Sequence, residues 1–331
     1  MHMADALISP AVGGTMWAAS GYLTAVCAKR IHERGNSSDT ALMGVLSAFV
    51  FASQMINFPI PGTGSSGHIG GGLLLAVFLG PEQAFISMIS ILAVQALFFA
   101  DGGLLALGCN IFNMGFFPCF IAYPLIYKKI TNILPGKKGV FWGSLVSVAA
   151  GLEMGAFAVV TETIMSGITT LPFDMFVLFM MPIHLAIGIA EGLATALVVT
   201  FIYSNAPEAM PHTGENKMGS KTKKTAAVFM AAAILIGGMF SWYASSNPDG
   251  LEWSIAQVTG STELETPKNV LYSIAAEIQS KTAFLPDYSI AGPSPHSETT
   301  GTSLSGVLGA LLTLIAAAAL GLFFKNKNSV R

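Results

Sequence analysis

"FDMFVLFMMPIHLAIGIAEGLATALVVTFIY", residues 173–203, decides the class of fold. It carries two acids, Asp174 and Glu191, one histidine, His184, and no lysine or arginine. About 20 apolar residues suffice for a helix to cross a hydrocarbon core of about 30 Å. Comparable runs recur along the chain and give nine expected spans with soft ends: 8–29, 40–58, 69–80, 84–101, 109–127, 139–165, 173–203, 225–246 and 303–324. The composition agrees: 53% of residues are apolar and 10% charged, where soluble domains carry about 25% charged residues. The mean hydropathy is +0.64. The expected fold is an all-α polytopic membrane protein, a seven-helix bundle followed by two further transmembrane helices. A net charge of −2 gives no basis for nucleic-acid binding. The segment 69–80 is short, and Pro59, Pro61 and the glycines around it also allow a half-span or re-entrant helix there.

Lysine and arginine orient the spans. Lys29, Arg30, Arg34, Lys128, Lys129, Lys137, Lys138, Lys217, Lys221, Lys223, Lys224, Lys325, Lys327 and Arg331 share one side; of the sixteen basic residues only Lys268 and Lys281 fall on the other. The positive-inside rule places the larger group in the cytoplasm. The amino terminus and the loop 59–68 are then expected outside the cytoplasmic (inner) membrane and the C-terminus inside, and 69–80 must carry the chain across. Residues 1–203 form the bundle, 204–224 a polar cytoplasmic linker, and 225–331 a helix, an extracytoplasmic segment and a last helix.

Catalytic signatures are missing. "PGTGSSGHIGGG" (61–72) is glycine-rich but lacks the lysine of a phosphate-binding loop. There is no G-x-S-x-G or H-E-x-x-H. Neither enzymatic activity nor a resident cofactor is expected. Cys27, Cys109 and Cys119 lie in apolar stretches without metal-ligand spacing and read as packing residues.

The chain starts "MHMADALISP", without the basic stretch of a signal peptide. The Met1 amine, the His2 backbone nitrogen and a His2 imidazole nitrogen lie on one short covalent path and could chelate one metal in a plane, an arrangement suited to Ni(II) or Cu(II). His68, beside "IGGG", is the best candidate for the fourth corner. The alternative is a solvated terminal residue and an ordinary loop histidine. His184 and Glu191 are two helical turns apart and share a face. They belong either to the surroundings of a site or to a structural hydrogen-bond network, as do Asp5, Asn57, Ser66 and Gln95. Asp101, Glu153 and Glu162 read as solvated or structural, and His32, His212 and His296 as solvated. Gly188, Gly192 and Ala196, and likewise Ser20, Thr24 and Ala28, have small-xxx-small spacing for close helix approach, within the bundle or to a partner.

"MHMADALISPAVGGTMW", "PIPGTGSSGHIGGGLLLAVFLGP", "ALFFADGGLLALGCNIFNMGF" and "HLAIGIAEGLATA" appear in order. Residues 1–203 resemble the CbiM/NikM family, substrate-binding membrane components of energy-coupling factor transporters for cobalt and nickel. "NPDGLEW", "AFLPDYSI" and "TSLSGVLGALL" resemble the PDGLE-type, NikN/CbiN-like companion, here fused after the linker. The resemblance implies uptake of Ni(II) or Co(II), with metal ligands Met1, His2 and His68. It also implies a separate transmembrane coupling (T) component and cytoplasmic ATPases as partners, in keeping with the absent Walker motif. The common family start M-H-I-P-D-G is changed here to Met3, Ala4, Asp5 and Ala6, which keeps the histidine and the acid but not the proline and glycine. All implied ligands precede residue 204, so the fused segment is expected to be dispensable for binding. With reference values of about 6.5 for histidine and about 7.7–8.0 for the amine, affinity is expected to weaken as pH falls through that range. The competing reading is a stand-alone carrier for a cation or small solute.

Overall fold

The computed structural model describes residues 1–34, 39–207, 210, 220–290 and 295–324. Proline at the first helical position costs no hydrogen bond, and Pro10 opens α1 (Pro10–Arg34). α2 (Asp39–Gln54), α3 (Gly72–Leu79) and α4 (Pro81–Phe98) follow. A continuous rod then runs from α5 (Leu107–Ile111) through a π-helical stretch, Phe112–Tyr127, into α6 (Lys128–Ile133). Pro118 and Pro124 lie in the widened part, where neither can donate to an α-helical ladder. α7 (Lys137–Ser166) and α8 (Phe173–Asn205) complete the first part. The C-terminal segment adds α9 (Ser220–Gly238), α10 (Gly250–Thr259), α11 (Val270–Thr282) and α12 (Pro295–Phe324).

Five described helical stretches are long and apolar enough to cross a membrane: Pro81–Phe98, Leu107–Ile133, Lys137–Ser166, Phe173–Asn205 and Thr299–Phe324. The protein is a multi-pass membrane protein. Lys29 and Arg30 lie toward the end of α1, Lys128 and Lys129 open α6, Lys137 and Lys138 open α7, and Lys223 and Lys224 are in the first turns of α9. All of these lie at the end of the bundle away from Met1.

The segment 69–80 departs from a full-length span. α3 has eight residues, about 12 Å of helix, and all eight are buried. The chain still passes from the Met1 end at His68 to the opposite end, where Glu82 meets Arg30 at 3.3 Å. The chain between His68 and α3 is irregular and turns through a left-handed Gly71.

The small-residue spacing in α8 serves packing inside the bundle. A Cβ on Gly192 would lie 2.8 Å from the Leu145 carbonyl oxygen, and one on Gly188 would lie 3.0 Å from the Ala149 Cα. Gly192→Leu is expected to destabilise the protein by about 1–3 kcal/mol through overpacking, read as a lower unfolding temperature in detergent. The C-terminal segment packs along α2, where Gly44 lets the Leu314 carbonyl of α12 approach closely. Its middle part lies over the Met1 end: the Tyr272 hydroxyl donates to the Ile8 carbonyl at 2.9 Å, and Gln279 Nε2 donates to the Ala96 and Gly102 carbonyls at 2.9 and 2.8 Å.

Candidate metal centre

The terminal residues enter the bundle because their apolar side chains are buried there: Met1, Met3, Leu7 and Ile8 all belong to the core. Asn110 fixes the backbone from both sides. Its Oδ1 accepts from Met3 N at 2.8 Å and its Nδ2 donates to Met3 O at 3.2 Å. Asp5 accepts from Ala106 N at 2.9 Å, so it anchors the terminal turn and takes no part in the cluster around the amine. Burial raises its carboxyl above the ordinary range, against hydrogen bonds from Ala106 and Leu105.

His68 follows a two-stranded hairpin, β1 (Phe58–Pro59) and β2 (Ser66–Gly67), in which Phe58 faces Gly67 and Pro59 faces Ser66. Beyond it the backbone takes a left-handed turn at Gly71 (φ 77°), and a Cβ there would meet Val50. Gly71 N donates to Glu191 Oε1 at 2.9 Å. Glu191 thus reaches from α8 to hold the piece of chain that follows His68.

These elements bring Met1 and His68 together across 67 residues of sequence, with the amine nitrogen 3.4 Å from His68 Nε2. Two nitrogens at right angles about a metal would be roughly 3 Å apart if each bond were about 2.0–2.1 Å, as for Zn–N bonds. The His2 ring stacks on His68 with centroids 5.3 Å apart and planes within 13°. His2 Nε2 lies 3.2 Å from Gln95 Oε1, and His2 Nδ1 lies 3.2 Å from Asp101 Oδ1. Gln95 Nε2 donates to Gln54 Oε1 at 2.7 Å, and Gln54 Nε2 donates to the Gly70 carbonyl at 2.9 Å. Two glutamines therefore tie the His2 ring to the chain beyond His68. Burial, the Met1 ammonium and the His2 ring pull the His68 imidazole down to about 3. Burial also lowers His2, against the pull of Asp101. Burial thus favours the neutral form of His68, the form that offers a lone pair to a metal. Among the described residues no three His, Cys, Asp or Glu side chains converge as ligands. What comes together instead is the terminal amine and the rings of His68 and His2.

His184 accompanies the cluster. Its Nδ1 donates to the Met180 carbonyl at 2.8 Å, which leaves the Nε2 lone pair free. The ring borders a cavity of about 20 Å³ shared with Met1, His68, Asp249 and Gly250. Asn57 touches none of the nitrogens: its carbonyl accepts from Ser245 N at 2.7 Å, and the residue lines an outer cavity of about 680 Å³. Ser66 turns toward the C-terminal segment, with Oγ donating to Asn247 O at 2.8 Å. Glu162 accepts from Asn113 Nδ2 at 2.7 Å inside the bundle. The three cysteines are buried and free. His32 is exposed, while His212 and the side chain of His296 lie outside the described residues.

The site also contains a residue that the sequence did not bring forward. Asp249 Oδ2 lies 2.5 Å from the Met1 amine. The implied ligands all precede residue 204, but the amine's ion-pair partner comes from the fused segment. Of the two readings of Asp101, solvated or structural, the structural one fits: it lies 3.2 Å from His2 Nδ1 and accepts from the Tyr288 hydroxyl at 2.5 Å.

A family described as "Cobalt uptake substrate-specific transmembrane region", CbiM, matches residues 2–209. The chain belongs to the CbiM family. The PDGLE domain matches residues 223–326. A relative from Archaeoglobus fulgidus, named as a fused nickel transport protein NikMN, is 30% identical over 97% of this chain and 98% of its own. One from Lactiplantibacillus plantarum, named as a fused nickel transport protein LarMN, is 28% identical over 95% and 96%. The crystal structure of a truncated transition metal transporter is 33% identical, with a TM-score of 0.55 over 62% of this chain and 99% of that one. These are metal transport proteins, a transporter family and not enzymes.

Proposed function

We propose that the chain captures Ni(II) or Co(II) at the extracytoplasmic face of the cytoplasmic membrane and passes it inward as the substrate-binding part of an energy-coupling factor transporter. The ligands are the Met1 amine, the His2 backbone nitrogen, a His2 imidazole nitrogen and His68 Nε2. Residues 1–203 hold the metal, 204–224 are a cytoplasmic linker, and 225–331 are the NikN/CbiN-like companion. A T component and cytoplasmic ATPases supply the energy. The amino terminus faces outside and the C-terminus the cytoplasm, the orientation that the basic residues at the opposite end favour. The observation that carries this reading is the 3.4 Å approach of the Met1 amine to His68 Nε2, with the His2 ring stacked alongside.

The chemistry follows from the donors. On loading, the amine and the His2 peptide nitrogen give up protons and the two imidazoles give lone pairs. Nδ1 is the His2 ring nitrogen nearest the main chain, so chelation exchanges its Asp101 contact for the metal. Four nitrogens near a plane suit Ni(II), and both whole-length fused relatives carry nickel in their names; Ni(II) is therefore placed first. The outer cavity bears the carboxylates of Asp5, Asp101, Asp249, Glu252, Glu263 and Asp287 and, among the described residues, no lysine or arginine. It favours approach of a cation.

The test is titration of Ni(II) and Co(II) into detergent-purified protein, followed by uptake in vesicles with and without partner proteins. His68→Ala is expected to weaken binding by at least about 100-fold, beyond the 10–100-fold typical of losing a supporting partner. Wild-type affinity in that variant would remove His68 from the ligand set. Full transport by the chain alone would favour the stand-alone carrier.

A further inference from the structure

The PDGLE segment approaches the terminal amine closely, and several contacts set that approach. Ser66 N donates to the Pro248 carbonyl and Ser66 Oγ to the Asn247 carbonyl, both at 2.8 Å. Trp253 Nε1 donates to the Thr63 carbonyl at 3.0 Å. Gly250 lies so close to α8 that a Cβ would meet Ile187 Cδ1 at 2.8 Å and His184 Cε1 at 2.9 Å. Asp249 caps α10: its Oδ1 accepts from Leu251 N at 2.8 Å and Glu252 N at 2.9 Å, while Glu252 accepts from Asp249 N at 3.0 Å. One carboxylate oxygen is thus fixed by the helix it caps. The other, Oδ2, faces the Met1 amine.

We propose that Asp249 is a positioning residue of the metal site, holding the terminal nitrogen at its corner of the donor plane. This rests on the ligand set proposed above. Oδ1 stays fixed by the cap of α10, and a metal-bound amine still has N–H groups to donate to Oδ2, so the fused segment stays docked during loading. The segment thereby contributes directly to capture.

Asp249→Asn keeps the cap and the reach but removes the charge. Asp249→Ser keeps the cap, since Ser, Asn and Asp all cap helices well, but is too short to reach the amine. In the full-length protein, Ni(II) affinity is expected to fall roughly 10-fold for Asn and toward 100-fold for Ser, the range for losing a partner that orients a ligand. Hydrogen exchange across Gly250–Thr259 should stay protected in all three proteins, with and without Ni(II). Three equal affinities in a metal-binding protein would overturn this inference alone. Loss of α10 protection in step with affinity would overturn it in favour of a purely structural cap. Failure of the wild type to bind Ni(II) or Co(II) would overturn the ligand set itself, and this inference with it.

Discussion

One extra residue ahead of Met1 is expected to abolish high-affinity Ni(II) binding. The extension turns the Met1 nitrogen from an amine into an amide and moves the free amine away from His2. The chelate loses a donor, and the ion pair with Asp249 Oδ2 is lost at the same time. Space opposes the extension as well. Met1 is buried, and the two cavities that touch it measure about 20 Å³ each, close to the room needed for a single water molecule. A whole residue cannot take the place of Met1 in these two cavities. The expected loss is at least about 100-fold, since both a ligand and its orienting partner are removed. His32→Ala, on an exposed residue near the end of α1, is expected to leave binding unchanged. Matched metal titrations of monodisperse protein, with the terminus verified by intact mass, decide the matter. Full-affinity binding by the extended protein would remove the Met1 amine from the site.

Much of this arrangement is legible in the sequence, and the part that is not shares a physical reason. Apolar runs announce the long helices because spanning helices must be apolar over most of their length. Met1 with His2 is legible because three nitrogens on one short covalent path need no knowledge of the fold. His68 stands out beside glycines that permit close approach. Asp249 is hidden because it lies 248 residues from the amine it meets, and its surroundings, "NPDGLEW", read locally as a helix start. The motif is one: Asp249 and Glu252 form a capping box. Nothing local reveals that its second oxygen is aimed at another part of the chain. Gln54 is hidden for a similar reason. A glutamine near the end of an apolar helix reads as packing glue, yet it joins Gln95 to the Gly70 carbonyl. Asn57, close by in sequence, looks equally suited and stays with the outer cavity. The apolar character of 69–80 is plain, but α3 covers only eight residues, and the chain before it turns through a left-handed Gly71.

Metal loading is expected to release about two to three protons per ion at both pH 6 and pH 7, so affinity is expected to change by at least about a hundredfold per pH unit across that interval. Ordinary histidines would titrate near 6.5, and two of them protonated in the empty site would raise the count toward four as pH falls. Burial removes the contribution of His68, which is pulled down to about 3 by burial, the Met1 ammonium and His2. His2 is lowered by burial although Asp101 opposes it, and both its ring nitrogens face oxygen acceptors, Gln95 Oε1 and Asp101 Oδ1. The protons come from the Met1 ammonium, the His2 peptide nitrogen and, in part, the His2 ring, and these compete with the ion. The same shifts act on folding. An unfolded histidine binds its proton near 6.5, and folded His68 does so only near 3. Between those values the unfolded state holds more protons, so the empty protein loses stability as pH falls from about 6.5 toward 3. Metal titration calorimetry in buffers of different ionisation enthalpy counts the released protons directly. A count rising toward four at pH 6 would mean that the imidazoles are charged in the empty site. A count near one at both values would mean that the His2 peptide nitrogen keeps its proton and does not bind the metal.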